Sequence, residues 1–247
     1  MTRAPSTCRF MRFFTVLVAC LGTTVAASNQ PDKPHVVDSG AFAIFVNGQR
    51  AGVETFHIEQ GPGFSTATSE FKATIGEKAV QKAELQITAA GDLQRYEWRE
   101  LSPGKAHILV EPSDQFILEH VVPNPPARPV DQPFLLPPAT MILDDYFFSH
   151  REILLWRYLA VACAGNLQKC QPGRTSFGIL IPSQHVPEMA TLEYGGAEKV
   201  QTSAGEHSYS RFTLKVGDDP EWALYMDENF KLVRIVIASA KTEVVRE

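Results

Sequence analysis

The chain of 247 residues predicts a mainly β fold: a curved antiparallel sheet or half-barrel of 10–12 strands with one long helix packed across it. Three observations predict it. Apolar residues alternate with polar ones from Gly40 to Val122, the period of a strand with one buried face. Turn residues recur about every 8–14 positions, the spacing of a meander. A single stretch, 141–162, repeats its apolar residues at three and four, the period of a helix.

The first 27 residues read as a secretory signal. Arg3, Arg9 and Arg12 precede the apolar run Phe13 to Leu21, and small residues follow. The run is too short to span a bilayer, which takes ~20 apolar residues. Two processing routes stay open. Cleavage after Ala27 leaves a chain starting at Ser28. Alternatively, Leu17-Val18-Ala19-Cys20 serves as a lipobox, and Cys20 becomes a lipidated N-terminus. The expected location is the periplasm or the outside, with no transmembrane segment once the signal is removed.

Removing the signal takes three arginines and no acids. It leaves 20 Lys plus Arg against 28 Asp plus Glu, a net charge near −8. That balance disfavours nucleic acid as a partner. Residues 28–39 read as a tether, and 40–247 as one β-rich domain, a length that a single all-β core can fill.

Within that domain, Phe42, Ile44 and Val46 share a face before the hairpin turn Asn47-Gly48. Strands then follow over 53–59, 64–75, 83–88, 93–101, 106–111 and 116–122. Residues 123–138 hold seven prolines and cannot form a central strand, because each proline lacks an N–H. An extended crossover or a Pro-rich ligand for an aromatic groove would both suit them. In the helix over 141–162, Leu143, Phe147, Leu154, Tyr158 and Val161 form the apolar face. Asp145, Ser149 and Glu152 form the opposite side, and Asp144 and Asp145 fall in the first turns, where the helix dipole favours acids. Strands resume at 175–182, 190–194, 207–216, 222–226 and 230–238.

After signal removal only Cys163 and Cys170 remain. In an oxidising compartment two cysteines separated by six residues predict a structural disulfide, and a redox role has no C-x-x-C to support it. The histidines at 35, 57, 107, 120, 150, 185 and 207 match no metal-ligand spacing, so no cofactor is implied. No G-x-S-x-G, P-loop or G-x-G-x-x-G occurs. His150, beside Arg151, Glu152 and Asp144, is a general base for a hydrolase or a hydrogen-bonded core residue. Trp98, Phe147, His150, Trp156 and Tyr158 are the candidate ligand-binding residues. They would line a hydrophobic cavity between sheet and helix, or else pack it.

The pattern Trp222-x-x-Tyr225-x-Asp227-x-x-Phe230-x-Leu232-Val233 resembles the closing hairpin of several uncharacterised exported β-rich bacterial families. Ile44…Gly48…Gly52-Val53-Glu54 is similar to their first hairpin, and Leu143-Asp144-Asp145…His150…Leu154-Leu155…Arg157-Tyr158 to a middle helix. These families in turn resemble the half-barrel of the periplasmic lipoprotein carriers (LolA/LolB-like). The resemblance implies a sheet embracing a helix and carries over no functional residue. The function expected is that of an exported envelope protein binding a hydrophobic small molecule or envelope component. The alternatives are a structural protein acting through its surface and a hydrolase centred on His150.

Overall fold

A computed structural model describes residues 33–202 and 205–247. The proposed signal, the Cys20 lipidation site and the start of the tether lie outside the described residues. Among the described residues, fifteen strands form one sheet. In chain order they are β1 (His35–Val46), β2 (Gln49–Gln60), β3 (Phe64–Ala73), β4 (Val80–Thr88), β5 (Leu93–Ser102), β6 (His107–Ser113), β7 (Phe116–Val122) and β8 (Val130–Phe134), then β9 (Met141–Ile142), helix α1 (Ser149–Ala162), β10 (Thr175–Ile181), β11 (Val186–Thr202), β12 (Gly205–Val216), β13 (Trp222–Met226), β14 (Leu232–Ile237) and β15 (Thr242–Arg246). The spatial order runs from β8 back to β1, then from β15 back to β9. Two meanders therefore join where the last strand pairs with the first, Ile44 opposite Val244.

The sheet is curved and barrel-like, with three strands more than the upper expectation. The extra three are β8, β9 and β15. β8 lies inside the Pro-rich run, and Pro133 is accommodated because β8 is an edge strand. A proline-bearing edge also discourages pairing with other chains. Phe134 is buried beside it, but Leu135 stands exposed. The turn before β15 conceals that strand in the sequence: Lys241 takes a left-handed conformation (φ 48°) after the 3-10 turn Ala238–Ala240, with no glycine to mark the reversal. β1 begins at His35, within the stretch expected to be a tether.

The helix is shorter than its periodicity predicts. Met141 and Ile142 pair in parallel with Ile179 and Leu180, and the Leu143 N–H continues to the Leu180 carbonyl. Those residues satisfy the backbone of β10 on its outer side, which a helix could not do. Asp144 and Asp145 therefore precede the helix rather than occupying its first turns. Leu143, Phe147, Leu154 and Tyr158 are fully buried as expected, but Val161 is exposed. Ser149 and Glu152, expected on the solvent side, are completely buried.

The inner face of the sheet packs on α1. Phe42 stacks on Phe56 at 5.0 Å, and Leu85, Tyr96, Val110, Phe212, Leu224 and Ile235 continue the same core. The two ends of the sheet approach each other through side chains. His185, at the β10–β11 turn, meets the buried Glu119 of β7 at 2.9 Å. A disulfide joins Cys163 to Cys170 just past α1.

Candidate functional site

The first five strands present opposite chemistries on their two faces, because side chains alternate along a strand. On β2, Gly52, Glu54, Phe56 and Ile58 point inward, and Thr55 and His57 outward.

Inside, the N-terminus of α1 is held by a charge from another element. The Phe148 N–H donates to the Glu54 carboxylate at 2.6 Å, and the Ser149 and Ser69 hydroxyls donate to it at 2.7 and 2.9 Å. Glu54 thus supplies the cap that Phe148 itself cannot. Burial pushes the Glu54 carboxyl up, against the pull of those hydrogen bonds. On the next side of the helix, Glu152 accepts the Leu232 N–H at 3.1 Å and lies 3.5 Å from Arg246, which pairs with Asp38 at 2.6 Å. Burial, and then Asp38, push Glu152 up to about 9.

The residues singled out in the sequence fall in several places. Phe147 and His150 are buried side by side, ring centroids 5.7 Å apart, and Tyr96 meets His150 edge-on at 5.7 Å. The His150 Nδ1 accepts the Asp144 N–H at 3.3 Å. Burial, with Arg151 adjacent, lowers its pKa to about 3, so the imidazole is neutral. Asp144 is already engaged by the Tyr96 hydroxyl at 2.5 Å and by the N–H groups of Asp145 and Ser183. Tyr158 is buried against Phe212, its hydroxyl accepting the Tyr194 N–H. Trp156 donates to the Phe230 carbonyl in the closing hairpin. Trp98 sits at the margin of the core beside Gln81. Of the five, only Phe147 and His150 are in ring contact with each other; Trp156 and Tyr158 reach different strands.

His57, His107 and His120 share the outer face but do not converge. They meet Glu59, Glu97 and Asp131 respectively. Among the described residues no cluster of three or more metal-ligating side chains forms. No helix among them is long and apolar enough to cross a membrane.

The outer face of β2–β5 carries a cleft of about 490 Å³ that no single segment of sequence announces. It is lined by Thr55, His57, Thr68, Glu70, Lys82, Glu84, Glu97 and Arg99, with backbone contributed by the inward-pointing Phe56, Ser69 and Ala83. Register brings these side chains into two rows. Thr55, Glu70, Lys82 and Arg99 form one, and His57, Thr68, Glu84 and Glu97 the other. Lys72 and Lys82 hold the Glu70 carboxyl below its usual range. Burial would raise Glu97, but its hydrogen bonds to Arg99 and Arg95 outweigh that and leave it lowered. A second cavity, about 600 Å³, opens over the disulfide loop between Val161 and Pro172.

No protein-family model matches the chain, and no curated protein matches it. The fold is similar to the crystal structure of a beta-barrel-like protein of the domain of unknown function DUF1849 from Brucella abortus. The TM-score is 0.50 at 10% identity, covering 86% of this chain and 97% of that one. The likeness is to a β-rich, barrel-like protein of unknown function, and at that identity it shows fold alone.

Proposed function

We propose that this is an exported envelope protein without catalytic activity, acting by binding through the outer face of its sheet. One observation carries the reading: the cleft over β2–β5 is open and ringed by charged side chains, Glu70, Lys82, Glu84, Glu97 and Arg99, while the apolar inner face is covered by α1 with Phe147, Leu154 and Tyr158 fully buried. A hydrophobic ligand in the interior, as in a lipoprotein carrier, would have to displace that helix. The signal-like layout of residues 1–27 and the Cys163–Cys170 disulfide support export. His150 has neither an open approach nor a free carboxylate partner, so a hydrolase centred on it draws no support from the geometry.

Native mass spectrometry of protein recovered from the envelope tests this. A polar adduct on the wild-type chain, lost from Thr68→Trp, supports the outer cleft, because the indole would fill it. A lipid adduct retained by Thr68→Trp would overturn the reading in favour of an interior carrier.

A further inference from the structure

Where α1 meets the first strand, two buried carboxyls are left with one free oxygen each. Asp38 lies on β1 and Glu152 on the helix, their side chains 6% and 0% exposed. Oδ1 of Asp38 takes three donors: the Arg246 guanidinium at 2.6 Å, the Lys231 ammonium at 3.1 Å and the Ser39 N–H at 2.9 Å. Oε1 of Glu152 takes the Leu232 N–H at 3.1 Å and the Arg246 guanidinium at 3.5 Å. Oδ2 of Asp38 and Oε2 of Glu152 are buried and receive no donor from any described residue. The two carboxyls nonetheless interact directly with each other.

Both carboxyls cannot be ionised in such a contact at little cost. Each bare oxygen would be a buried acceptor without a donor, and the two like charges would repel. One proton removes both problems. Bound to one oxygen, it is donated to the other in a charge-assisted O–H···O hydrogen bond. Glu152 is the side that carries it, because Asp38 already has two cations and a backbone N–H on its other oxygen and is the better anion. The two titrations agree in direction. Burial, and then Asp38, hold Glu152 up at about 9, whereas Asp38, which burial alone would raise, is held low by Arg246, Glu152 and Lys231.

The pair sits where several elements join. Asp38 belongs to the strand that links the two meanders, Arg246 to its partner β15, and Lys231 and Leu232 to the β13–β14 turn and the start of β14. Arg246 also lies over the Phe42 and Phe56 rings, at 5.8 and 5.1 Å, and Lys231 over the Trp156 indole at 5.7 Å. Lys231 and Arg246 are thus the charged groups that face the pair from the turn and from β15. β2 presents Phe56 there, and α1 presents Trp156 beside Lys231, neither of which titrates.

We propose that Asp38 and Glu152 share one proton between Oδ2 and Oε2, and that this proton is a pH-sensitive fastening of α1 to the joint between the two meanders. The closed joint holds the proton. An opened joint releases it to water, because a solvated Glu152 ionises above its ordinary 4.5. Each unit of pH therefore favours opening about tenfold, until the closed pair itself loses the proton.

Carboxyl-carbon NMR of the disulfide-intact protein tests the pair. The Asp38 and Glu152 signals are expected to move together in one step above neutral pH. In Asp38→Asn the amide N–H takes the proton's place against Oε2, and the Glu152 step is expected to fall by about two pH units or more. Hydrogen exchange tests the fastening. With intrinsic exchange divided out, protection at Ser39 and Leu232 is expected to fall about tenfold per pH unit between pH 6.5 and 8.5. It should be flat in Glu152→Gln, whose amide keeps an acceptor for the Leu232 N–H and a donor for Asp38. Three results would overturn the proposal: no carboxyl step above pH 7, a Glu152 step unmoved by Asp38→Asn, which would assign it to burial alone, or wild-type protection at Ser39 and Leu232 that ignores pH. Should Asp38→Asn fail to fold, the wild-type spectrum decides, and a Glu152 step in which the Asp38 signal takes no part overturns the pair.

Discussion

Glu54 and Glu84 belong to one sheet, on β2 and β4, and do opposite things. Glu54 points inward, is fully buried, and gathers the Phe148 and Ser149 N–H groups with two serine hydroxyls. Glu84 points outward, faces another carboxylate, accepts one hydrogen bond from the Gln86 amide at 2.9 Å and lies 3.9 Å from the Arg95 guanidinium. A buried charge survives only where its surroundings supply hydrogen bonds or counter-charges. An exposed one can be badly placed at little cost, because water screens it. Charge on the inner face therefore positions α1, whereas charge on the outer face is spent in exposed ion pairs such as Lys82 with Glu70 and Arg95 with Glu97.

These two roles depend on α1 being docked, so the largest effect should come from undocking it. Leu154→Ala is expected to cost about 2–5 kcal/mol, as loss of a buried leucine usually does, measured by urea unfolding of the oxidised protein. Loss of less than ~1 kcal/mol, the range of surface changes, would mean the helix is not seated on the sheet. Glu54→Ala is next, at about 2–4 kcal/mol. It removes a helix cap, worth ~1 kcal/mol, and strands buried donors at ~1–3 kcal/mol each when no water replaces the carboxylate. Hydrogen exchange at Phe148 and Ser149 should accelerate in that variant before the rest of the helix responds.

Much of this architecture is readable in the residues. Phe42 and Ile44, or Ala83 and Leu85, announce their inner faces by period-two alternation, and Asn47-Gly48 marks a turn in which both residues take positive φ (52° and 77°). The concealed reversals lack such a marker: His185 and Lys241 adopt the left-handed conformation without being glycine. Glu54 is legible in principle, since it shares parity with Phe56 and Ile58 and so must point inward. Glu152 is not, because helical periodicity over 141–162 gives it a solvated side, and nothing local shows that Leu232 and Arg246 close over it. The cleft cannot be read from sequence at all. It needs the register of four strands, and one slipped residue at any of three turns would send its side chains to the other face.

Glu152 also gives the inner face a pH signature. Its folded pKa, about 9, lies above the ordinary 4.5. The native state therefore holds a proton that the unfolded chain releases as pH climbs from 4.5 to 9. Its contribution to stability is complete below the unfolded pKa and is lost as pH rises through the folded one. Glu54 and Glu119, also raised by burial, act in the same direction. His150, lowered to about 3, acts oppositely but only below about 6.5. Between pH 6.5 and 9 the wild-type protein should lose stability, with Glu152 contributing up to about 1.4 kcal/mol per pH unit. Glu152→Gln keeps an acceptor for the Leu232 N–H and should flatten that slope. Equal slopes in urea midpoints at pH 6.5, 8 and 9 would show that Glu152 is ionised in the fold.

The smallest expected effect lies on the outer face. Glu84→Gln removes a charge that sits opposite Glu97 and 3.9 Å from Arg95. The lost attraction is that of a weak surface pair, ~0–1 kcal/mol, and the relieved repulsion is of similar size. The two should nearly cancel, leaving a change within about ±0.5 kcal/mol, best measured as a shift in urea midpoint beside Glu54→Ala. A stabilising sign would mean that repulsion across β4 and β5 outweighs the attraction to Arg95. A loss as large as that of Glu54→Ala would instead make Glu84 part of the scaffold and erase the distinction between the two faces.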